Sequence, residues 1–426
     1  MSSEASPEER LYAIVEQGLC IGCGLCQAVA GADKIRVCKT QNGYLQPVVV
    51  GELDHACVDK IYASCPGTRV EGLPERLVEA DSKLDNVWGP WRRMLRGWAG
   101  DAELRFEGST GGVLSALAAY LLESKRVEFI LHVKTSTTDP SFGESTLSYT
   151  RADVLEAAGS RYGPSATLVD INEVLDREQA FAFIGKPCDI AALRNYAQQD
   201  ARVDRLVGYW LTLVCGGFGT PASTQDFYRR MAINPDEVTG LRYRGRGCPG
   251  PTRVDTAAGS SEFHYLDFWG EDETCWALPF RCKICPDAIG EAADIAVADT
   301  WPGGSPTREA SVDDPGVNAL VARSAVGEEL IAAAAAAGAL QVDYDIVPDT
   351  LSLYQPHQVN KKYAVWARHQ GLTDAGRLAP QTAGLRIEAL AGELPAASNA
   401  FQREGTRQRV EQGKASEPRP QAAENS

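Results

Sequence analysis

The segment Cys20-Ile-Gly-Cys23-Gly-Leu-Cys26 constrains this chain more than any other part of the sequence. Three thiols at this spacing reach one point only if the backbone curls around it, and Gly22 and Gly24 permit that curl. A redox dithiol uses two cysteines, and a tetrahedral zinc site usually takes two pairs of cysteines. Three cysteines at this spacing therefore favour an iron–sulfur cluster over either of these. The sequence therefore predicts a [4Fe-4S] centre held by Cys20, Cys23 and Cys26 and by one further ligand.

The fourth ligand of this centre must come from elsewhere in the chain. Cys65 is followed by Pro66 and Gly67, and a distal cysteine followed by proline typically closes ferredoxin-type loops. Cys57 is the alternative, and the choice between Cys57 and Cys65 stays open at this point. Cys38 is predicted to be a buried thiol.

The length, net charge and cysteine content of the chain restrict the classes of protein to which it can belong. A chain of 426 residues is long enough for two or three domains with proper cores. Its net charge of −15 argues against a nucleic acid or an anionic membrane as a partner. The polar N-terminus lacks the apolar core of a signal peptide, so we expect a cytoplasmic protein without membrane insertion. In that reducing compartment its twelve cysteines are metal ligands more readily than disulfides.

Beyond residue 100 the pattern of strand, sharp turn and helix recurs. Polar or thiol residues follow the apolar segments Phe181–Gly185, Val207–Val214 and Asp294–Ala298. In open α/β sheets, ligands bind at the carboxyl ends of the strands. This pattern predicts an α/β domain with its site at that edge, and the alternation in residues 253–269 predicts an antiparallel hairpin excursion.

The segment Gly108-Ser-Thr-Gly-Gly112 precedes an apolar helix from Val113 to Leu122. Such a glycine-rich helix start exposes backbone N–H groups and is suited to phosphate, although most helix starts bind no ligand.

A second set of thiols is formed by Cys188, Cys215, Cys282 and Cys285. The last two form a clean Cys-x-x-Cys, and the first two follow predicted strands. Singly, Cys188 and Cys215 are as readily core thiols as ligands, but the four together supply what a second [4Fe-4S] cluster needs.

Eight motifs in this order make the chain resemble the coenzyme F420 (deazaflavin) hydrogenase/dehydrogenase beta-subunit family, which includes 7-hydroxymethyl chlorophyll a reductase and divinyl chlorophyllide vinyl reductases. They are Cys20/Cys23/Cys26 with Cys65-Pro66-Gly67, Ser109-Thr-Gly-Gly112, Gly159-Ser-Arg-Tyr162, Gly185-Lys-Pro-Cys188 through Arg194, Cys215-Gly-Gly217, Tyr243-Arg-Gly-Arg-Gly247, Cys282-Lys-Ile-Cys285-Pro-Asp287 and Asp294 to Asp299.

The resemblance implies one FAD at the edge of the sheet, with two [4Fe-4S] clusters leading electrons to it. By the same resemblance, the flavin contacts are Ser109, Thr110, Gly111, Gly112, Ser160, Arg161, Tyr162, Lys186 and Pro187. Lys186 near the ring is a candidate charge partner of the reduced flavin, and Asp189, Asp299 and His357 are candidate proton relays.

We therefore expect an α/β protein, α+β overall, with four parts. A ferredoxin-like [4Fe-4S] domain spans residues 1–86, and an α/β flavin-binding domain with its own [4Fe-4S] cluster spans 87–350. A covering segment spans 351–396, and residues 397–426, charged and poor in apolar side chains, are predicted to be disordered.

The expected function is that of an oxidoreductase taking electrons from reduced ferredoxin to FAD and then to a small organic substrate. The alternative is the electron-entry subunit of a larger complex that oxidises reduced deazaflavin. The fused N-terminal cluster segment favours the first, and assembly as a homo-oligomer or within a larger redox complex fits either.

Overall fold

The computed structural model describes residues 5–272, 275–309 and 314–423. Its strands are β1 Ile35–Lys39, β2 Leu45–Val49, β3 Arg69–Glu71, β4 Lys83–Asp85, β5 Gly89–Trp91, β6 Arg93–Ala99, β7 Phe129–Thr135, β8 Gly143–Ser148, β9 Phe181–Gly185, β10 Val207–Leu213, β11 Val238–Arg242, β12 Thr252–Thr256, β13 Gly259–Phe263, β14 Ile295–Asp299, β15 Asn318–Ala322, β16 Leu340–Asp345 and β17 Gln381–Ala383.

The helices connect and cover these strands. They are α1 Pro7–Glu16, α2 Leu25–Ala30, α3 His55–Ser64, α4 Ala102–Glu107, α5 Val113–Glu123, α6 Arg151–Glu156, α7 Ile171–Leu175, α8 Pro187–Tyr196, α9 Arg202–Leu206, α10 Pro221–Arg230, α11 Tyr265–Trp269, α12 Phe280–Lys283, α13 Ala325–Ala336, α14 Pro348–Tyr354, α15 Pro356–Asp374, α16 Ile387–Gly392 and α17 Ala396–Glu411, with short 3-10 turns at Glu75–Leu77 and Pro235–Glu237.

The centre of the molecule is an eight-stranded mixed sheet in the order β16-β6-β15-β14-β10-β9-β7-β8. The strands β14, β10, β9 and β7 pair in parallel, and antiparallel strands flank them on both sides. Because β6 is antiparallel to β15, which is antiparallel to β14, strand β6 points the same way as the parallel set. The predicted α/β class is confirmed, and five strands end at one edge of the sheet.

Alternating side chains of these strands pack into separate cores on the two faces. In β9, Ala182 belongs to the core under α5 and α13, whereas Phe181 and Phe183 belong to the core under α8. Both faces of β9 are buried, as a strand in the interior of an α/β sheet requires, and this explains its unbroken apolar sequence.

The N-terminal and C-terminal segments share one core. Leu11 and Ile61 pack with Phe280 and Ile284 of the central part of the chain and with Val410 of α17. The boundary predicted at residue 86 therefore does not separate an independent hydrophobic core, and the ferredoxin-like character of residues 1–86 stays a prediction.

The segment from residue 397, predicted to be disordered, is instead helical through Glu411. Few apolar side chains are needed to hold this helix against α15. Gly371 of α15 lets the backbone of Arg403 approach closely, and Val410 of α17 is buried. Residues 421–423 reach β1, where Ala422 forms an antiparallel bridge with Thr40. Low apolar content failed as a signal here because it counts side chains, whereas this helix packs largely through its backbone.

The antiparallel excursion predicted for residues 253–269 is partly right. Strands β12 and β13 form the hairpin and pair with β11. The last part is helix α11, because the side chains of His264 and Asp267 cap its N-terminus. Among the described residues, no helix combines the length and apolar character needed to cross a bilayer.

Candidate functional site

Four predicted ligands line one cavity of about 480 Å³ near the N-terminus: Cys20, Cys23, Cys26 and Cys65. Cys20 and Cys23 lie on the turn before α2, Cys26 lies in the first turn of that helix, and Cys65 directly follows α3. A Cβ atom on Gly22 would lie 2.4 Å from the carbonyl oxygen of Leu45, and Gly22 has a φ of +70°. Glycine is therefore required where the backbone curls around the thiols.

Burial disfavours the thiolate form throughout this first thiol group. Burial raises the pKa of Cys20, Cys23 and Cys26, and the charges of neighbouring thiolates raise it further. Backbone N–H groups oppose this, with Gly22 donating to Cys20 Sγ and Gly67 to Cys65 Sγ, each at 3.4 Å. Four mutually repelling buried thiolates need a compensating cation, which is the donor chemistry that suits an iron cluster.

Cys57 and Cys38 lie apart from this cavity. Cys57 is on the first turn of α3, where its N–H donates to Asp54 Oδ1 at 2.7 Å. The charges that act on its thiol come from Lys34, Asp54 and Lys60, with burial as the largest effect raising its pKa. Cys38 lies on β1. The structure thus brings Cys65, rather than Cys57, to the other three thiols.

The second thiol group is assembled from three separate parts of the chain. Cys188 is on the first turn of α8, Cys215 follows β10, and Cys282 and Cys285 lie at and just after α12. Burial raises the pKa of Cys215 to about 12, and the neighbouring charges of Cys282 and Cys285 act in the same direction. The charges of Cys215 and Cys285 likewise reach Cys188. Cys215 therefore interacts electrostatically with each of the other three predicted ligands.

Helix α15 braces this second group through backbone carbonyls. Gln358 Nε2 donates to Cys215 O at 2.9 Å, and Lys362 Nζ to Pro286 O at 3.1 Å. His369 Nε2 lies 3.0 Å from Ile284 O, between the two cysteines of the Cys-x-x-Cys, and Arg368 donates to Lys283 O at 2.6 Å. The side chains involved are polar, yet they act as structural supports for the turns that carry the thiols.

A buried carboxylate fixes α15 in place. Glu291, which is fully buried, forms ion pairs with Lys362 of α15 and with Arg386 before α16. Lys362 thus joins Glu291 to the loop that follows Cys285. Removing either partner of such a pair would leave an uncompensated buried charge.

The largest pocket described here opens at the sheet edge where the five strands end. Its volume is about 1680 Å³ up to its open mouth. Ten predicted site residues line it: Ser109, Thr110, Gly112, Ser160, Arg161, Tyr162, Lys186, Asp189, Asp299 and His357, together with the ligand candidate Cys215. The lining combines hydroxyl groups, charged groups and aromatic rings, which suits a ligand that carries both polar and ring portions.

Two other predicted flavin contacts, Gly111 and Pro187, are not among the residues that line the pocket. Gly111 N–H donates to Asn318 Oδ1 at 3.0 Å, and Asn318 Nδ2 donates to Ala298 O at 3.1 Å. Asn318 thereby joins the turn before α5 to strand β14. Pro187 is buried at the start of α8.

Lys186 and Asp189 form one buried ion pair instead of two independent groups. Lys186 Nζ lies 2.7 Å from Asp189 Oδ2 and 3.1 Å from Ser165 Oγ. Burial alone would lower the pKa of Lys186, but the carboxylate of Asp189 outweighs it and the pKa is raised. Asp189 Oδ1 accepts no hydrogen bond from the described residues, which leaves an acceptor for a ligand at the pocket wall.

A second ion pair in the pocket was not predicted from the sequence. Arg244 Nη1 lies 3.0 Å from Asp299 Oδ2, and Arg244 Nη2 donates to Thr110 Oγ1 at 2.7 Å. The guanidinium also stacks on Trp301, 4.7 Å from the ring centre. Arg244 lies in the motif Tyr243 to Gly247, and that motif was the indication in the sequence that Arg244 belongs to the site.

The turn before α5 holds a strained residue. Thr110 is 2 % exposed and has a φ of +58°, which β-branched residues rarely adopt. Its Oγ1 also bonds to Asp299. Such strain persists where surrounding contacts over-determine the backbone, and here those contacts come from Arg244 and Asp299.

The predicted contacts on two separate loops meet at this turn. Ser160 N–H donates to Ser109 Oγ at 2.9 Å, and the two hydroxyl oxygens lie 2.8 Å apart. Arg161 is beside them, and its buried Nε has no hydrogen-bond partner among the described residues. Burial and the charge of Arg242 lower the pKa of Arg161 to about 10, so it remains a cation at neutral pH. Hydroxyls, a helix start and this cation suit an anionic ligand group.

His357 lies on the first turn of α15, at the pocket mouth. Burial and then the charge of Lys361 lower its pKa to about 4, against the opposing effect of Asp299. The imidazole is therefore neutral at physiological pH. Gln355 Nε2 donates to Asp299 O at 2.9 Å, so the predicted covering segment does contact the site.

Among the described residues, no three Cys, His, Asp or Glu side chains converge as the ligands of a single metal ion do. A four-iron cluster is held at its corners, so its thiolates surround a cavity instead of one atom. The first thiol group, whose four cysteines line one cavity, fits that second arrangement.

Fold and sites together define an α/β protein with two buried thiol groups beside a large pocket at a strand edge. Two family models match it: the beta subunit N-terminal model of coenzyme F420 hydrogenase/dehydrogenase at residues 94–171 and the C-terminal model at residues 178–345. Together they span more than half of the chain. The chain belongs to the coenzyme F420 hydrogenase/dehydrogenase beta-subunit family, and the resemblance seen in its motifs is confirmed.

Two curated relatives are oxidoreductases, and this chain is assigned to the same broad class. It is 25% identical over 293 residues to the coenzyme F420 hydrogenase subunit beta of Methanococcus voltae, covering 65% of this chain and 92% of that protein. It is 23% identical over 342 residues to the coenzyme F420-dependent sulfite reductase of Methanocaldococcus jannaschii, covering 76% of this chain but only 47% of that protein.

A solved structure shares the fold. The chain matches a chain of the F420-reducing [NiFe] hydrogenase complex from Methanosarcina barkeri with a TM-score of 0.51 and 21% identity, over 66% of this chain and 92% of that one. The matched family models begin after β5 and end at β16. The first thiol group and helices α14 to α17 therefore lie outside them.

Proposed function

We propose that this protein is an iron–sulfur flavoprotein that moves electrons from a low-potential donor, through clusters in its two thiol groups, to FAD in the strand-edge pocket and then to an organic substrate. The observation that carries this proposal is the continuity of the three sites. Pro66, next to the first thiol group, bonds to Arg281 beside the second, and Cys215 of the second lines the pocket.

The pocket residues support a flavin nucleotide. Flavin accepts electrons singly from a cluster and passes a pair to an organic molecule. Ser109, Ser160 and Arg161 are suited to hold its anionic phosphates, and the free acceptor Asp189 Oδ1 is suited to an N–H group of the ring. The aromatic side chains Tyr265, Trp269 and Trp301 line the same pocket and leave a flat apolar surface for a second ring.

Three residues are candidates for handling the proton that accompanies the electron pair. Asp299 is held by Arg244, Asp189 is held by Lys186, and His357 is the neutral base among them. His357, at the pocket mouth, is therefore the proposed relay that passes a proton inward as the substrate takes up the electron pair, while the two ion pairs orient the ligand and set the charge around it.

We favour ferredoxin as the electron donor because the first thiol group is additional to the matched family models and lies at the outer end of the path. The second candidate is reduced coenzyme F420, which the names of both curated relatives favour. In that case the chain serves as the electron-entry subunit of a larger redox complex, and the structural neighbour is itself a chain of a hydrogenase complex.

Cofactor content and donor choice test this proposal. Anaerobically purified protein should hold about eight irons and one FAD per chain, with broad iron–sulfur absorbance under the flavin bands. Reduced ferredoxin should bleach the flavin faster than reduced F420, and the reverse order would establish the second candidate. Tightly bound zinc with no iron would refute both.

A further inference from the structure

Arg281 lies between the two thiol groups. Its side chain is 1 % exposed. Its Nε and Nη2 donate to the carbonyl oxygen of Pro66 at 3.1 and 2.6 Å. Pro66 directly follows Cys65, so this fork holds the closing loop of the first group.

The same guanidinium faces the second group. Arg281 directly precedes Cys282 on α12, and its side chain also hydrogen-bonds to Cys285 and lies within range of the charge of Cys188. On the other side its charge reaches Cys65, whose following carbonyl group it holds. One cation therefore acts on sulfurs of both groups.

None of the carboxylate ion pairs among the described residues involves Arg281. This distinguishes it from Arg244 and Lys362, whose charges are matched by Asp299 and Glu291. Arg323 is also fully buried without such a pair and donates to backbone carbonyl oxygens. What distinguishes Arg281 is its place between the two thiol groups, where thiolate-held clusters would supply negative charge.

We propose that Arg281 is a positioning residue that fixes the two thiol groups against each other and raises the reduction potential of the clusters they hold. This rests on the proposed function. Arginine remains protonated at any physiological pH, so Arg281 transfers no proton and makes no bond. One electron from the low-potential donor leaves the first group and arrives at the second, and Arg281 stabilises the added negative charge on either side. Net charge and hydrogen bonds near the sulfurs are what set such potentials.

The test compares Arg281→Gln and Arg281→Lys with the control Arg194→Lys in the full chain. Arg194 is also buried, but it stacks on Trp210 at 3.8 Å and pairs with Asp294 at 3.7 Å, away from both thiol groups. Iron and FAD content, redox titrations followed by electron paramagnetic resonance, and the magnetic interaction between the reduced clusters are measured for each.

In Arg281→Gln the equilibrium constant for reducing each cluster should fall about tenfold, equal to about 59 mV for one electron. Arg281→Lys keeps the charge but loses the fork. Its potentials should fall by less, and its magnetic interaction should weaken. Arg194→Lys should match the wild type in both measurements.

Unchanged potentials in an iron-replete Arg281→Gln protein would overturn the inference. If that variant loses iron, Arg281→Lys decides, because potentials and magnetic interaction both equal to the wild type would overturn it as well. A wild-type protein without about eight irons would instead refute the proposed function before any variant is compared.

Discussion

Nη1 of Arg244 lies 3.0 Å from Oδ2 of Asp299 inside the strand-edge pocket, and the side chain of Arg244 is only 5% exposed. Asp299→Asn leaves this guanidinium without its counter-charge in a buried place. We expect a loss of about 3 kcal/mol in the free energy of unfolding. Thermal unfolding measures it, and Glu178→Gln, which disturbs an exposed pair with Arg205, is the control that should change little. An equal effect of the two variants would show that burial does not govern the Arg244 pair.

The four thiols around the N-terminal cavity give a direct prediction about iron. Cys65→Ser should remove about half of the iron and leave FAD bound, because four-iron clusters rarely survive the loss of one thiolate. Cys57→Ser should keep all of it, since Cys57 lies outside the cavity. Iron and flavin assays on anaerobically purified variants decide, and iron loss from the Cys57 variant alone would reverse our assignment of the fourth ligand.

The second thiol group should behave independently of the first. Cys282→Ser should remove the other half of the iron, and Cys188→Ser should also weaken FAD, since Cys188 shares a turn with Lys186. Cys248→Ser is the control, because Cys248 is a buried thiol that belongs to neither group. Full iron in Cys282→Ser would exclude this residue as a ligand.

Acid should destabilise the protein through its buried histidines. Burial lowers the pKa of His132 to about 4, and its Nε2 lies 2.7 Å from Ser148 Oγ. Below pH 6.5 the unfolded chain binds a proton at this histidine that the folded chain does not bind. The free energy of unfolding contributed by the neutral histidine above pH 6.5 is therefore lost as the pH falls toward 4. His132→Gln should remove about 2 kcal/mol of the difference between pH 7 and pH 4.5. Thermal unfolding at both pH values measures this, and an unchanged difference would contradict it.

Helix α17 offers a matched pair of substitutions for its role in the shared core. Val410 is 7% exposed and Phe401 is 75% exposed on the same helix. Val410→Asp places a charge in the core that Leu11 and Phe280 also occupy, and should cost about 3 kcal/mol or more. Phe401→Asp should be neutral. Iron content and thermal unfolding are the measurements, and iron retained in both variants would show that the first thiol group does not depend on α17.

The sequence predicted local features well. Strand β9 and the turns after β10 and β14 follow from apolar runs ended by polar or thiol residues, and the glycines around Cys23 follow from the curl that converging thiols require. These signals are local because neighbouring residues carry them. Which thiols hold iron, and which side chains contact flavin, stay predictions.

Contacts between residues that are far apart along the chain could not be predicted from the sequence. Arg281 and Pro66 are 215 positions apart, and Arg244 and Asp299 are 55 apart. Most arginines lie on the surface, so the residue type alone does not show that these two are buried, and only their neighbours in space show their role. Helix α17 was missed because its stability comes from packing on α15, which composition does not report.

The shared core of the two ends of the chain has a consequence for biosynthesis. A ribosome releases Cys20 to Cys65 long before it makes α15 and α17, and domains assemble from the N-terminus as they emerge. The thiols of the first group must therefore wait, reduced and accessible, until the C-terminal helices arrive to complete the apolar wall around Leu11 and Ile14. If the proposed cluster forms there, iron delivered before that moment would meet an unfinished site, so we expect the cluster to assemble after translation and not during it.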